Sequence, residues 1–164
     1  MRKFTLITAL FALSLNLAVA SEPMIQAKQQ SEELLTVTVE FAKQMLTNHG
    51  EFIPYGGAIR PDGEIISIGG TNGDEHPESQ EIIDLLKSSF ISAASKGEYI
   101  ATALVFDVKV IPPGQETKTD AIAVAIDHKQ GLSVIVLHPY QIVDGKVSYG
   151  EVFAYAGEGS IFEN

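Results

Sequence analysis

The chain has no cysteine. That excludes disulfides, thiolate metal sites, a thiol nucleophile and the cysteine-borne lipid of a lipoprotein. It has no Asn-x-Ser/Thr sequon, which fits a bacterial exported protein. It has no Gly-x-Ser-x-Gly elbow, no phosphate loop and no EF-hand or zinc helix motif, so no familiar catalytic signature is present. There are no internal repeats and no low-complexity linker. Positive charge is scarce, at 11 Lys and Arg against 21 Asp and Glu. After residue 20 no apolar run reaches the roughly 20 residues that a spanning helix needs.

What is present begins with a leader. Arg2 and Lys3 precede an almost wholly apolar stretch, Thr5 to Val19, and Ala18-Val19-Ala20 is a small-x-small processing site. This predicts a secretory signal peptide over residues 1–20, cleaved after Ala20, and an exported protein in the periplasm or the medium. The apolar stretch is too short for a membrane anchor. Cleavage leaves 144 residues with 9 basic and 21 acidic side chains, a formal charge of −12. That length is one ordinary domain, able to hold a core without staples. An acidic surface of this kind disfavours nucleic acid and anionic lipid and is compatible with a basic protein partner or a divalent cation. Equally, it serves solubility.

Residues 21–30 show no apolar periodicity and are expected to be a flexible terminus, with one α+β domain over 31–164. Ser31 reads as a helix N-cap followed by Glu32 and Glu33. Leu34, Leu35, Val37, Phe41, Ala42, Met45 and Leu46 recur at helical spacing until Gly50, a left-handed cap. His49 beside it suits the C-terminal end of the helix dipole. Phe52 to Ile59 and Glu64 to Gly69 read as two strands joined by the turn Arg60-Pro61-Asp62-Gly63. Pro54 cannot donate to a ladder, so the first of these is expected at an edge or entering the sheet late. That leaves sheet extension open there. Gly56-Gly57 implies a bulge or a close backbone approach. A second helix is expected from Pro77 to Lys96, capped by Gly97.

Tyr99 to Ile111 is a long strand ended by Pro112-Pro113-Gly114. Thr119 to Tyr140 then reads as a hairpin with its turn at Asp127 to Gly131, taken as the centre of the sheet. Ile122, Val124 and Ile126 form one face of its first strand and Ala121, Ala123 and Ala125 the other. Val143-Asp144-Gly145 turns into a last strand, Lys146 to Ala156, and Ile161-Phe162 is expected to tuck against the body. The order α-β-β-α-β-β-β-β with short turns predicts an α+β domain: one antiparallel sheet of five to six strands with two helices. This order is similar to profilin-like and PAS-like domains. Ala101 and Ala103 are expected on the same face as Ala121, Ala123 and Ala125, a small-residue surface to be covered by the second helix or by a ligand.

Candidate chemistry is sparse. Antiparallel pairing brings Asp120 beside His138 and Tyr140, a place for acid–base work or for a hydrogen bond that fixes register. Tyr55 joins Asp120, His138 and Tyr140 as a candidate ligand-binding residue. No catalytic residue is assigned. The loop Asp74, Glu75, His76 with Glu78 has metal-ligand types, but its spacing fits no metal motif and a solvated loop explains it. Neither a metal nor a cofactor is expected.

Phe52-Ile53-Pro54-Tyr55-Gly56, His76-Pro77-Glu78-Ser79-Gln80, Thr119-Asp120-Ala121-Ile122-Ala123-Val124 and His138-Pro139-Tyr140 together resemble landmarks of a family of small uncharacterised bacterial exported proteins. The resemblance spans most of residues 51–162 and implies no activity. Three functions follow from these features. A binding or accessory module of the inhibitor or immunity kind, working through its acidic surface, is the first. The others are a sensory-type domain that binds a small molecule, and a hydrolase using Asp120 and His138.

Overall fold

The structure, a computed structural model, describes residues 21–71, 73 and 77–163. The expected leader, residues 1–20, lies outside them. The first helix, α1, runs Glu22–His49, so it begins well before Ser31. Ser21 is its extended N-cap and Pro23 sits in the first turn, where a missing N–H costs nothing. Residues 22–30 are therefore helical rather than a flexible tail, and Ser31 is a buried helix-interior residue. The periodicity was hidden because the buried face there is built from Ala27 and Ser31, not from large apolar side chains. Gly50 ends α1 as expected, at φ 76°, with its N–H on the Leu46 carbonyl.

Strands β1, Tyr55–Ile59, and β2, Ile65–Gly69, form a hairpin. Gly63 closes its turn at φ 90° by donating to Arg60 O at 2.9 Å. Helix α2 runs Ser79–Ser95 and ends in Gly97 at φ 71°. The antiparallel meander β3, Ala101–Val110; β4, Thr119–His128; and β5, Ser133–Val143 follows. Two short strands, β6, Lys146–Tyr149, and β7, Phe153–Ala156, both pair with β5. The strand order is β2-β1-β3-β4-β5-β6, so the β4–β5 hairpin is near the centre as expected. Among the described residues the fold is α+β, with two helices and one antiparallel sheet of seven strands.

The seventh strand comes from a break in the expected last one. Register changes by one between Tyr140↔Tyr149 and Leu137↔Phe153, so two residues of β5 oppose three of the last strand. This is a bulge. Pro139 lies at the break, and its carbonyl accepts from Gly150 N–H. The amide of the same residue would point to the same side, and proline has none, so the ladder is interrupted there.

The two helices lie on opposite faces. Leu34, Ala42 and Leu46 of α1 pack on Val105, Val124 and Ile126. Ile82, Leu86 and Phe90 of α2 pack on Leu104 of the other face, joined by Ile161 from the C-terminal tail. Register decides two expectations. First, of an edge position or a late entry, β1 shows the late entry: it starts only at Tyr55, and it lies between β2 and β3, with β2 the edge. Pro54 simply precedes the strand. Second, the five alanines do not share a face. Ala103 pairs with Ile126, while Ala121 and Ala123 pair with Val108 and Phe106. Ala101 and Ala103 therefore lie under α1, and Ala121, Ala123 and Ala125 face the other way.

Gly56 and Gly57 are the close approach that their sequence implied. A Cβ on Gly56 would overlap the Phe90 ring of α2, and one on Gly57 would lie 2.8 Å from Thr38 Cγ2 of α1. Gly56→Ala is expected to destabilise the fold by roughly 1–3 kcal/mol, the usual cost of overpacking. Much of that loss should return when Phe90→Leu is added, and denaturant titration of the two single variants and the double variant measures the coupling. Strictly additive losses would show that the ring and the glycine do not meet.

Candidate functional site

The hairpin register places Asp120 opposite Tyr140 and Ile122 opposite His138, so the three expected residues share one face. They do not form an acid–base pair. Asp120 is held by Lys109 Nζ at 2.6 Å, an exposed contact. Tyr140 donates its hydroxyl to Asp107 Oδ1 at 2.8 Å, and Thr119 Oγ1 donates to the Tyr140 carbonyl at 3.1 Å. Burial pushes both Asp107 and Tyr140 upward. His138 Nε2 is buried and has no partner. Burial, and then Lys43, lowers its proton affinity, with Glu40 opposing, so the ring is neutral. The cluster therefore ties β3, β4 and β5 together; among the described residues no hydroxyl bonds His138 Nε2.

Tyr55 is separate from that cluster. It lies on β1, with β3 between it and β4. Its hydroxyl donates to the Thr38 carbonyl of α1, and burial pushes its pKa upward. Of the candidate metal loop, Asp74, Glu75 and His76 lie outside the described residues, and Glu78 is the exposed N-cap of α2. Among the described residues no three His, Asp or Glu side chains are placed to hold a metal ion. No helix among them is long and apolar enough to cross a membrane.

A different site lies on the opposite face. A cleft of about 270 Å³ opens between α2, strands β3 to β5 and the tail at Gly157 to Ile161. Leu104, Phe106 and Ile135 floor it, and Ala125 leaves room where a larger side chain would fill the space. Phe90 of α2 and Ile161 of the tail wall it. Such an apolar concavity, with a few polar groups at its margin, is the usual form of a small-molecule site.

The polar group that sets its chemistry is Asp127, with Lys87 and Glu158 at the margin. Oδ1 of Asp127 is buried without a hydrogen-bond partner. The Ser133 hydroxyl lies near enough to favour the charged carboxyl group and accepts from Gly159 N–H at 3.0 Å. Burial pushes the Asp127 pKa up; Ser133 and Lys87 oppose this, while Glu163 and Glu158 add to it. Gly157 anchors the tail beside it: its N–H donates to Ser133 O at 3.1 Å, and a Cβ there would overlap the Ser133 hydroxyl.

Asp127 was expected as the first residue of the hairpin turn. Instead β4 continues through His128, and Asp127 pairs with Ser133. The signal was its phase: Asp127 continues the inward series Ala121, Ala123, Ala125. His128 was missed for the same reason. It is buried and takes Gln130 N–H on Nδ1 at 3.1 Å, so Nε2 carries the proton and donates to Gln30 Oε1 of α1 at 3.0 Å. Compared with protein-family models, curated proteins and solved structures, the chain matches none.

Two pH dependences follow. Asp127 has a raised pKa in the folded state, so the unfolded chain binds fewer protons and folding loses stability as pH rises from about 3.8 through the folded value. Asp127→Asn should therefore gain stability relative to the wild type between pH 3.5 and pH 7 in paired denaturant titrations. A constant difference across that range would contradict the assignment. His128 behaves oppositely. Burial lowers its pKa, so stability is lost as pH falls below about 6.5. Amide exchange, corrected for intrinsic rate, should quicken over residues 22–30 between pH 7 and pH 5 in the wild type. In His128→Gln it should be fast at both. Unchanged protection at pH 5 would remove His128 as the anchor.

Proposed function

We propose that the protein is a binding module that holds a small organic molecule in the cleft between α2, the sheet and the C-terminal tail. The observation that carries this reading is the apolar cleft with Asp127 at its wall, one carboxylate oxygen buried and unpartnered. Buried polar atoms without partners are few in folded proteins, and each asks for an explanation. That oxygen is closed off, so a ligand that donates to the other oxygen of this carboxylate would offset the cost of burying it. Of the three functions that the sequence suggested, the small-molecule reading has this support. The hydrolase reading lacks a paired base, since Lys109 holds Asp120 and His138 Nε2 has no partner. The accessory reading, an acidic surface engaging a basic protein, rests on the expected leader, the single-domain size, the formal charge of −12 after its removal and the lack of a catalytic motif. If the leader directs export, the ligand is a solute of the periplasm or the medium.

The test fills the cleft. Wild type and Ala125→Phe are purified from the native host's envelope and compared by native mass spectrometry, with circular dichroism to confirm the fold and Ala125→Leu as the milder variant. Wild type is expected to carry a discrete small-molecule mass that the filled variants lack. A folded Ala125→Phe that keeps the mass, or a wild type without one, would count against the cleft as the site.

A further inference from the structure

We infer that the cleft takes a small zwitterion with an apolar body, of the free α-amino-acid class, its ammonium on Asp127 and its carboxylate on Lys87. This rests on the cleft being the binding site. It adds the ligand's chemistry.

The inference starts from charge placed on opposite walls. Lys87 comes from α2, and Asp127 from β4 with Glu158 of the tail beside it. Lys87 is near enough to act electrostatically on Asp127. Yet neither Lys87 nor Glu158 joins an ion pair among the described residues. The cleft keeps them apart. Between them the floor is apolar, from Leu104, Phe106 and Ile135.

Each simpler ligand class leaves something uncompensated. A neutral apolar molecule would desolvate Asp127 and give it no donor. A simple anion would suit Lys87 but face Asp127 and Glu158. A simple cation would suit Asp127 and leave Lys87 facing its apolar body. A zwitterion meets both walls, and its side chain covers the floor. Oδ1 of Asp127 is buried, so the ammonium meets the carboxylate through its other oxygen. The Ser133 hydroxyl, itself held by Gly159 N–H, lines the cleft beside the carboxyl and favours its charged form. The volume of about 270 Å³ limits the occupant to one amino acid in size, just under the roughly 300–1,000 Å³ of drug-sized sites.

Titration calorimetry of the full mature chain at pH 7 separates the classes, using L-leucine and L-phenylalanine, then phenethylamine, 3-phenylpropanoate and benzyl alcohol. At least one amino acid should bind tenfold or more tighter than the matched amine, acid and alcohol. Asp127→Asn should weaken the amino acid and the amine at least tenfold and spare 3-phenylpropanoate. Lys87→Met should bring the amino acid down to the level of the amine. If the alcohol, amine or acid binds as tightly as the amino acid and Ala125→Phe abolishes that binding, the zwitterion is wrong and the cleft reading survives. If no probe binds and native mass spectrometry finds no companion, both fall.

Discussion

The structure depends on two glycines meeting two helices. Gly56 and Gly57 are consecutive residues of β1, so their missing side chains point to opposite faces. Leu34 and Thr38 of α1 lie against Gly57, and Phe90 of α2 lies against Gly56. At these two residues each helix approaches strand backbone, and the sheet is gripped from both sides at one point. The same Phe90 that rests on Gly56 walls the cleft. The depth at which α2 sits, and hence the cleft's width, is set at that contact.

A second coupling runs through the β4–β5 turn. Asp127 and His128 are neighbours in β4 and face opposite ways. His128 fastens the N-terminal half of α1 through Gln30, while Asp127 faces the cleft across the sheet. The turn between them and Ser133 is closed by His128 N–H on Leu132 O at 2.8 Å, with Gly131 at φ 83°. One short segment therefore positions the helix on one face and the polar wall of the cleft on the other. Tail and turn are also joined, since Gly157 and Gly159 both bond Ser133.

What was legible in the sequence was what local chemistry decides. Alternation marked the Thr119 to Tyr140 hairpin, glycine marked the ends of both helices, and Arg60-Pro61-Asp62-Gly63 marked a turn. What was not legible depends on partners distant in sequence. The phase of Ala101 and Ala103 relative to Ala121 is set by β3–β4 register across a loop, and periodicity within each strand does not contain it. The split of the last strand follows from Pro139 in the strand beside it. The N-terminal turns of α1 were invisible because Ala27 and Ser31 face the body where a periodic pattern needs large apolar residues. Asp120 and His138 were placed on the right face, but a lysine of β3 takes the carboxylate. Asp127 was visible in phase and obscured by a turn assigned two residues early.

The energetic position of Asp127 distinguishes it from the other carboxylates of the sheet. Asp107 has Tyr140, and Asp120 has Lys109. Asp127 has the Ser133 hydroxyl nearby, two carboxylates of the tail that oppose its charge, and a lysine that acts on it without bonding. A fold selected for stability alone has an easy remedy, because asparagine at this position removes the charge and keeps the shape. The carboxylate is thus a local cost at neutral pH, of the kind that binding sites carry when the compensating group arrives with the ligand. An ammonium group would offset these contributions at once: it would pair the carboxylate through its other oxygen, balance Glu158 and Glu163, and restore the charged form that burial disfavours.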